Sequence, residues 1–207
     1  MEFSGTLPGG GGPCASKLDR VRASSDKKER LIQAARRLFY RRGFAGTSLA
    51  DVAKESKVPV GNVYYYFKTK EQLAEAVVES YLEDIHSWNQ AATAGATPQE
   101  RLKLWLRGYF SVSVGGEDWN CPFGRLLIDL RQQSDRLGDL ARGLYQAMLN
   151  WTQAQFADLA EPSRAEQLAQ TLVSRAQGLG ILALVVQDRA ELSVRFSEIE
   201  DWIDHRS

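Results

Sequence analysis

Asn62, Tyr64, Tyr65 and Lys70 fall in one short stretch of the chain. A carboxamide, two phenols and an ammonium do not make a nucleophile with its general base. They are hydrogen-bonding groups suited to base edges and phosphate oxygens. Gly61, next to Asn62, lacks the side chain that would keep a partner's backbone at a distance. Thr47 and Ser48, a little earlier, offer two hydroxyls to the same kind of partner. Elsewhere reactive groups are sparse. His86 and His205 are the only histidines, and the two cysteines, Cys14 and Cys121, form neither a disulfide framework nor a zinc-ligand pattern. Cys121, in NCPFG where a loop meets a helix start, is the one chemically pointed residue outside the stretch. A helix N-terminus lowers a thiol pKa, so a thiol-based response to electrophiles or oxidants stands as one alternative, against an inert buried cysteine. With no phosphate-binding glycine loop, metal constellation or cofactor motif, the expectation is a protein that is not an enzyme and needs no cofactor or metal.

The elements that must position these groups are all helical. Asp26 with Glu29 suggests a capping box, after which Leu31, Ile32, Ala35, Leu38 and Phe39 keep helical spacing up to Gly43. A second short helix should start after Thr47 or Ser48, turn at Ser56 to Pro59, and lead into a third over Val60 to Phe67. Thr69 with Gln72 opens a long helix. Further helices are expected over Pro98 to about Val114, from Pro122, over Leu137 to Leu159, from about Ser163 to Gln187, and from about Val194 to Asp204, the last capped near Ser197 and Glu200. No stretch alternates as a strand does, so the fold class is all-α. Residues 1–25, with Gly9 to Gly12 and two prolines, read as a disordered tail. Residues 26–70 read as a three-helix helix-turn-helix domain, and 71–207 as a second, larger helical domain.

Charge separates the two folded parts. The whole chain is neutral, but residues 1–70 hold 14 Lys and Arg against 6 Asp and Glu, and the remainder 12 against 20. A basic part followed by an acidic one suggests that the first meets a polyanion. No apolar run is long enough to span a bilayer and the start has no secretory pattern, so a cytoplasmic location is expected, with no membrane partner.

The run TSLADVAKESKVPVGNVYYYFKTKEQL, Thr47 to Leu73, preceded by RRGFAGTS, closely resembles the DNA-binding signature of tetracycline-repressor-type (TetR/AcrR) regulators. The likeness covers about Lys27 to Val78. It implies nine or so helices, a homodimer formed by the last two long helices, an effector cavity in the C-terminal domain, and repression of a palindromic double-stranded DNA operator that the effector relieves. Thr47, Ser48, Gly61, Asn62, Tyr64, Tyr65 and Lys70 are the expected DNA contacts. Val63 and Phe67 are expected in the core, and Arg41 and Arg42 on a solvated face. Two positions depart from the family pattern: its usual turn glycine and capping serine are Lys57 and Pro59 here.

All five tryptophans lie beyond Lys70. Large rings usually fill cores, yet Trp88, Trp105, Tyr109, Phe110, Phe123, Trp151 and Phe156 could line a cavity for a small apolar effector, or, as an alternative, for an enzyme's substrate. Gly178 and Gly180 precede Ile181 to Val186 in the penultimate helix, where small and aliphatic residues let a partner helix approach. Gly178, Ile181, Leu182, Val185 and Ile199 are therefore the expected dimer contacts, against a buried intrachain helix.

Overall fold

In a computed structural model, the backbone of residues 17–114 and 122–206 is described, with side chains for 25–110, 126–183 and 185–206. Cys121 and the side chain of Phe123 lie outside the described residues, as do residues 1–16. Among the described residues there are nine helices and no strand. They are α1 (Lys17–Arg42), α2 (Leu49–Ser56), α3 (Val60–Tyr66), α4 (Lys70–Ala92), α5 (Pro98–Val114), α6 (Pro122–Gln133), α7 (Asp135–Phe156), α8 (Pro162–Val186) and α9 (Arg189–Asp204). None is long and apolar enough to cross a membrane.

Local chemistry explains most of the helix ends. The α1 helix stops at Gly43, which takes φ 78° and returns its N–H to the Phe39 carbonyl at 2.9 Å. Ser48 caps α2 in a reciprocal capping box: its hydroxyl accepts from the Asp51 N–H, and the Asp51 carboxylate accepts from the Ser48 N–H. Thr69 caps α4 through the Gln72 N–H, while Gln72 Oε1 reaches one residue further back, to the Lys68 N–H at 2.8 Å. Thr97 and Glu100 cap α5 in the same way, Glu100 accepting from the N–H groups of both Ala96 and Thr97.

Two helix starts differ from the expectation. The α1 helix begins at Lys17, ahead of Asp26, because no glycine or proline interrupts the chain between Pro13 and Gly43 and a formed helix extends at one hydrogen bond per residue. The α9 helix begins at Arg189 and is capped by Asp188, which accepts from Ala190 and Glu191, instead of near Ser197 and Glu200. The reason is the tightness of the preceding turn: Gln187 takes the left-handed conformation at φ 50°, which ends α8 and places Asp188 directly at a cap.

Packing joins the small N-terminal helices to the rest. Leu31, Leu38, Phe39, Val52, Val63 and Phe67 close the three-helix core, which continues through Leu73, Val77 and Ile85 of α4 into the larger domain. There α7 packs against α4, α6 and α8, and α8 against α5 and α9. Arg36 braces α1 on α4. Its guanidinium pairs with Asp84, donates to Ser80 Oγ at 3.2 Å, and lies 3.9 Å from the Tyr81 ring centroid.

Candidate nucleic-acid interface

Lys57 decides how α2 meets α3. It takes φ 56°, ψ 33°, the left-handed region, and sends its N–H back to the α2 carbonyls of Ala53 and Lys54. Arg30 of α1 clamps the same turn, donating to the Ser56 carbonyl at 2.6 Å and the Lys57 carbonyl at 3.3 Å. A side chain in this conformation costs about 1–2 kcal/mol that glycine avoids. Lys57→Gly should therefore raise unfolding stability by about 1 kcal/mol, and Lys57→Val should lower it, in urea denaturation. A destabilised Lys57→Gly protein would show that the side chain contributes more than its backbone strain costs. Pro59, the second departure from the family pattern, caps α3 with backbone alone, its carbonyl accepting from Asn62 and Val63.

Within α3 the two faces are chemically distinct. Val63 is fully buried, and Phe67 at the helix end is buried with it. On the outer face Tyr65 is 73% exposed, Tyr64 is 50% exposed, and Val60 and Gly61 are exposed as well. Tyr66 is half-buried and meets the Tyr65 ring edge-on at 5.0 Å, so it supports the exposed ring from behind. A Cβ built on Gly61 would meet nothing within 4 Å, so the fold itself gives no reason for a glycine there. Asn62 is half-buried beside it.

The hydroxyl groups and the ammonium sit differently from the outer face of α3. Thr47 is only 2% exposed and spends its hydroxyl on the Gly43 carbonyl at 2.9 Å. It holds the α1–α2 turn. Ser48 is exposed, but its oxygen serves the α2 cap. Lys70 donates to the Phe44 carbonyl at 2.9 Å and lies 4.3 Å from the Phe44 ring centroid, leaving two of its three N–H donors for another acceptor. Arg42, expected on a solvated face, is exposed and also pairs with Asp51 of α2, as Arg37 does with Glu55.

Bonds from Ser48, the hydroxyl first and then the backbone N–H, hold the Asp51 carboxyl below its ordinary range, with Arg42 and Lys54 adding to them and partial desolvation opposing. The folded state thus binds this proton less readily than the unfolded chain. Asp51 contributes stability above the ordinary carboxyl pKa and loses it as pH falls through its lowered folded value. Wild-type and Asp51→Asn stabilities should converge on acidification below that value; a gap that persists unchanged would show that Asp51 does not titrate with folding.

Residues 31–77 match the family described as bacterial regulatory proteins, tetR family. The regulator TtgR of Pseudomonas putida is 26% identical over 194 residues, 87% of this chain and 90% of its own. A TetR transcriptional regulator from Legionella pneumophila superimposes with a TM-score of 0.77 at 18% identity, covering 86% of this chain and 95% of its own. Residues 31–77 thus form a tetR-family domain, and the described chain has the fold of TetR-type regulators. The regulator FadR of Bacillus subtilis, solved in complex with stearoyl-CoA, has the same fold at a TM-score of 0.69 and 17% identity, over 86% of this chain and 98% of its own.

In this TetR-type fold the expected effector residues do not all share one environment. Trp105, Tyr109 and Phe156 are fully buried, and Trp105 stacks on Tyr109 at 5.8 Å. Trp88 lies over Gly108. Phe110 packs on Phe196 of α9, Phe156 meets Trp202 edge-on, and Trp151 is half-buried against the core. The rings of Phe110 and Phe156 are thus partnered from α9, a helix that spacing alone did not connect to them. Of these expected effector residues, Trp105 has a buried indole N–H with no hydrogen-bond partner among the described residues.

Of the expected dimer residues, Ile181, Leu182 and Val185 are exposed along α8, Val185 by 78%. A Cβ on Gly178 would meet open space. Ile199 is buried inside the subunit, under a groove between α8 and α9 that Arg175, Gly178, Leu182 and Arg195 also line. Val194 of α9 is exposed as well.

Proposed function

We propose that the protein is a homodimeric repressor that reads a palindromic operator through α3 and releases it when a small, largely apolar effector binds the C-terminal domain. The observation that carries the DNA-binding part is the outer face of α3. It presents Tyr64, Tyr65 and Gly61 on a helix whose inner face is fully occupied by packing. Rings with hydroxyls can meet thymine methyls and phosphates, and a glycine admits a sugar-phosphate backbone. Lys70 supplies an ammonium at the start of α4, and the excess of positive charge in residues 1–70 supplies the long-range field.

The stacked pair Trp105 and Tyr109 supports the effector part. An indole N–H buried without a partner costs free energy unless something accepts from it. An effector that is largely apolar but carries one hydrogen-bond acceptor would satisfy it. FadR, with its bound stearoyl-CoA, indicates that this fold can house a ligand with a long apolar part. Two facing copies of the α8 row would bury Ile181, Leu182 and Val185, and would bring two α3 helices to one duplex.

Selection of binding sites from random-sequence duplex DNA tests the reading. The expected result is a two-fold symmetric site whose half-sites lie one helical turn, or a multiple of it, apart. Recovery of only asymmetric or sequence-independent duplexes would refute it.

A further inference from the structure

We propose that Asp129 of α6 is a positioning residue for DNA binding, latching the helix-turn-helix directly to the C-terminal domain through the peptide of Phe44. The inference rests on the DNA-binding reading above. Phe44 follows the Gly43 that ends α1, and its ring is buried against Phe39 at 5.3 Å. Its N–H donates to Asp129 Oδ2 at 3.0 Å, across 85 residues of sequence. Its carbonyl accepts from Lys70 Nζ at 2.9 Å and from the Thr47 N–H at 3.2 Å. One residue therefore joins α6, the turn into α2 and the ammonium at the head of α4.

Geometry makes this a route distinct from the length of α4. The α6 helix packs on α7 and α8 as well as on α1. A shift of α6 relative to α1 must stretch or break the bond to Phe44. The Phe44 carbonyl is part of the same short turn, so the seats of Lys70 and Thr47 move with it. A hydrogen bond to a carboxylate is roughly twice as strong as a neutral one, and its distance tolerance is a few tenths of an ångström. Small displacements in the C-terminal domain are thereby felt at the start of the helix-turn-helix.

The test uses the full-length protein and a duplex selected by the wild type from random-sequence DNA. Asp129→Ala should lower affinity for that duplex by about tenfold, the effect of losing one hydrogen bond to a charged group. The slope of log affinity against log salt should stay unchanged, because no phosphate contact has been removed. Lys70→Ala should reduce that slope. Asp129→Asn keeps an acceptor at the same place and should recover most of the affinity. In the free wild-type protein the Phe44 amide should be protected from hydrogen exchange, and Asp129→Ala should expose it while the amides of α2 and α3 keep their protection. Wild-type affinity in Asp129→Ala would overturn the latch. So would equal losses in Asp129→Asn and Asp129→Ala, or an unprotected Phe44 amide in the wild type, a result that needs no variant to fold. A wild-type protein that binds no duplex would overturn the DNA-binding reading and the latch together, and so is distinguishable from failure of the latch alone.

Discussion

On the proposed homodimer, Leu182→Asp should leave a monomer and remove tight binding to a two-half-site duplex. Leu182 stands in the exposed row of α8 with Ile181 and Val185, beside Gly178, whose missing side chain serves no purpose inside the subunit. A two-fold interface places each substituted residue in the contact twice. Burying an unpaired carboxylate costs several kcal/mol even after relaxation, so two of them outweigh the apolar contact that would cover them. Loss of the dimer also removes the second recognition helix, and with it a factor of about 10²–10⁴ in apparent affinity. Sedimentation velocity at micromolar concentration checks the first part and a gel-shift titration the second. Helical content by circular dichroism should stay near wild type, because Leu182 is nearly half exposed in the single chain. A Leu182→Asp protein that still sediments as a dimer would place the interface elsewhere.

Gly61→Ala should have effects of opposite sign on stability and on DNA binding. Alanine is the better helix former by about 0.5–1 kcal/mol, and the new methyl meets nothing in the fold, so unfolding stability should rise. In the complex the same methyl would stand where the duplex backbone approaches. Affinity should fall by one to two orders of magnitude. Tyr65→Ala belongs with it: this ring is largely exposed, so stability should change by less than about 1 kcal/mol while specific and nonspecific binding both weaken. Asn62 variants should alter sequence preference more than overall affinity. Thermal melts beside fluorescence-anisotropy titrations would separate the two axes. Gly61→Ala that binds duplex DNA as the wild type does would mean that α3 presents a different face.

Features that depend on a few neighbouring residues were legible in the linear sequence. The capping pairs Ser48 with Asp51, Thr69 with Gln72 and Thr97 with Glu100 each close within four positions, so residue types and spacing nearly determine the hydrogen bonds. The inward positions of Val63 and Phe67 follow from helical period and from the small core that needs them. The all-helical class and the family likeness were readable for the same reason, since both rest on local pattern. The start of α9 was misread because a cap competes with other caps nearby: Asp188 won over Ser197 once the left-handed Gln187 had ended α8.

Tertiary packing decided where the polar side chains spend their donors. Thr47 and Lys70 belong to the recognised motif, yet one turns inward to the Gly43 carbonyl and the other donates to Phe44, 26 residues away. Residue type alone is silent about this, because an ammonium bonds equally well to a phosphate or a peptide carbonyl, and only proximity in the folded chain selects between them. Asp129 is the extreme case. Nothing near it in sequence distinguishes it from any surface carboxylate on a helix. Its partner is the backbone N–H of Phe44, just past the end of α1, brought within 3.0 Å by the packing of α6 on α1.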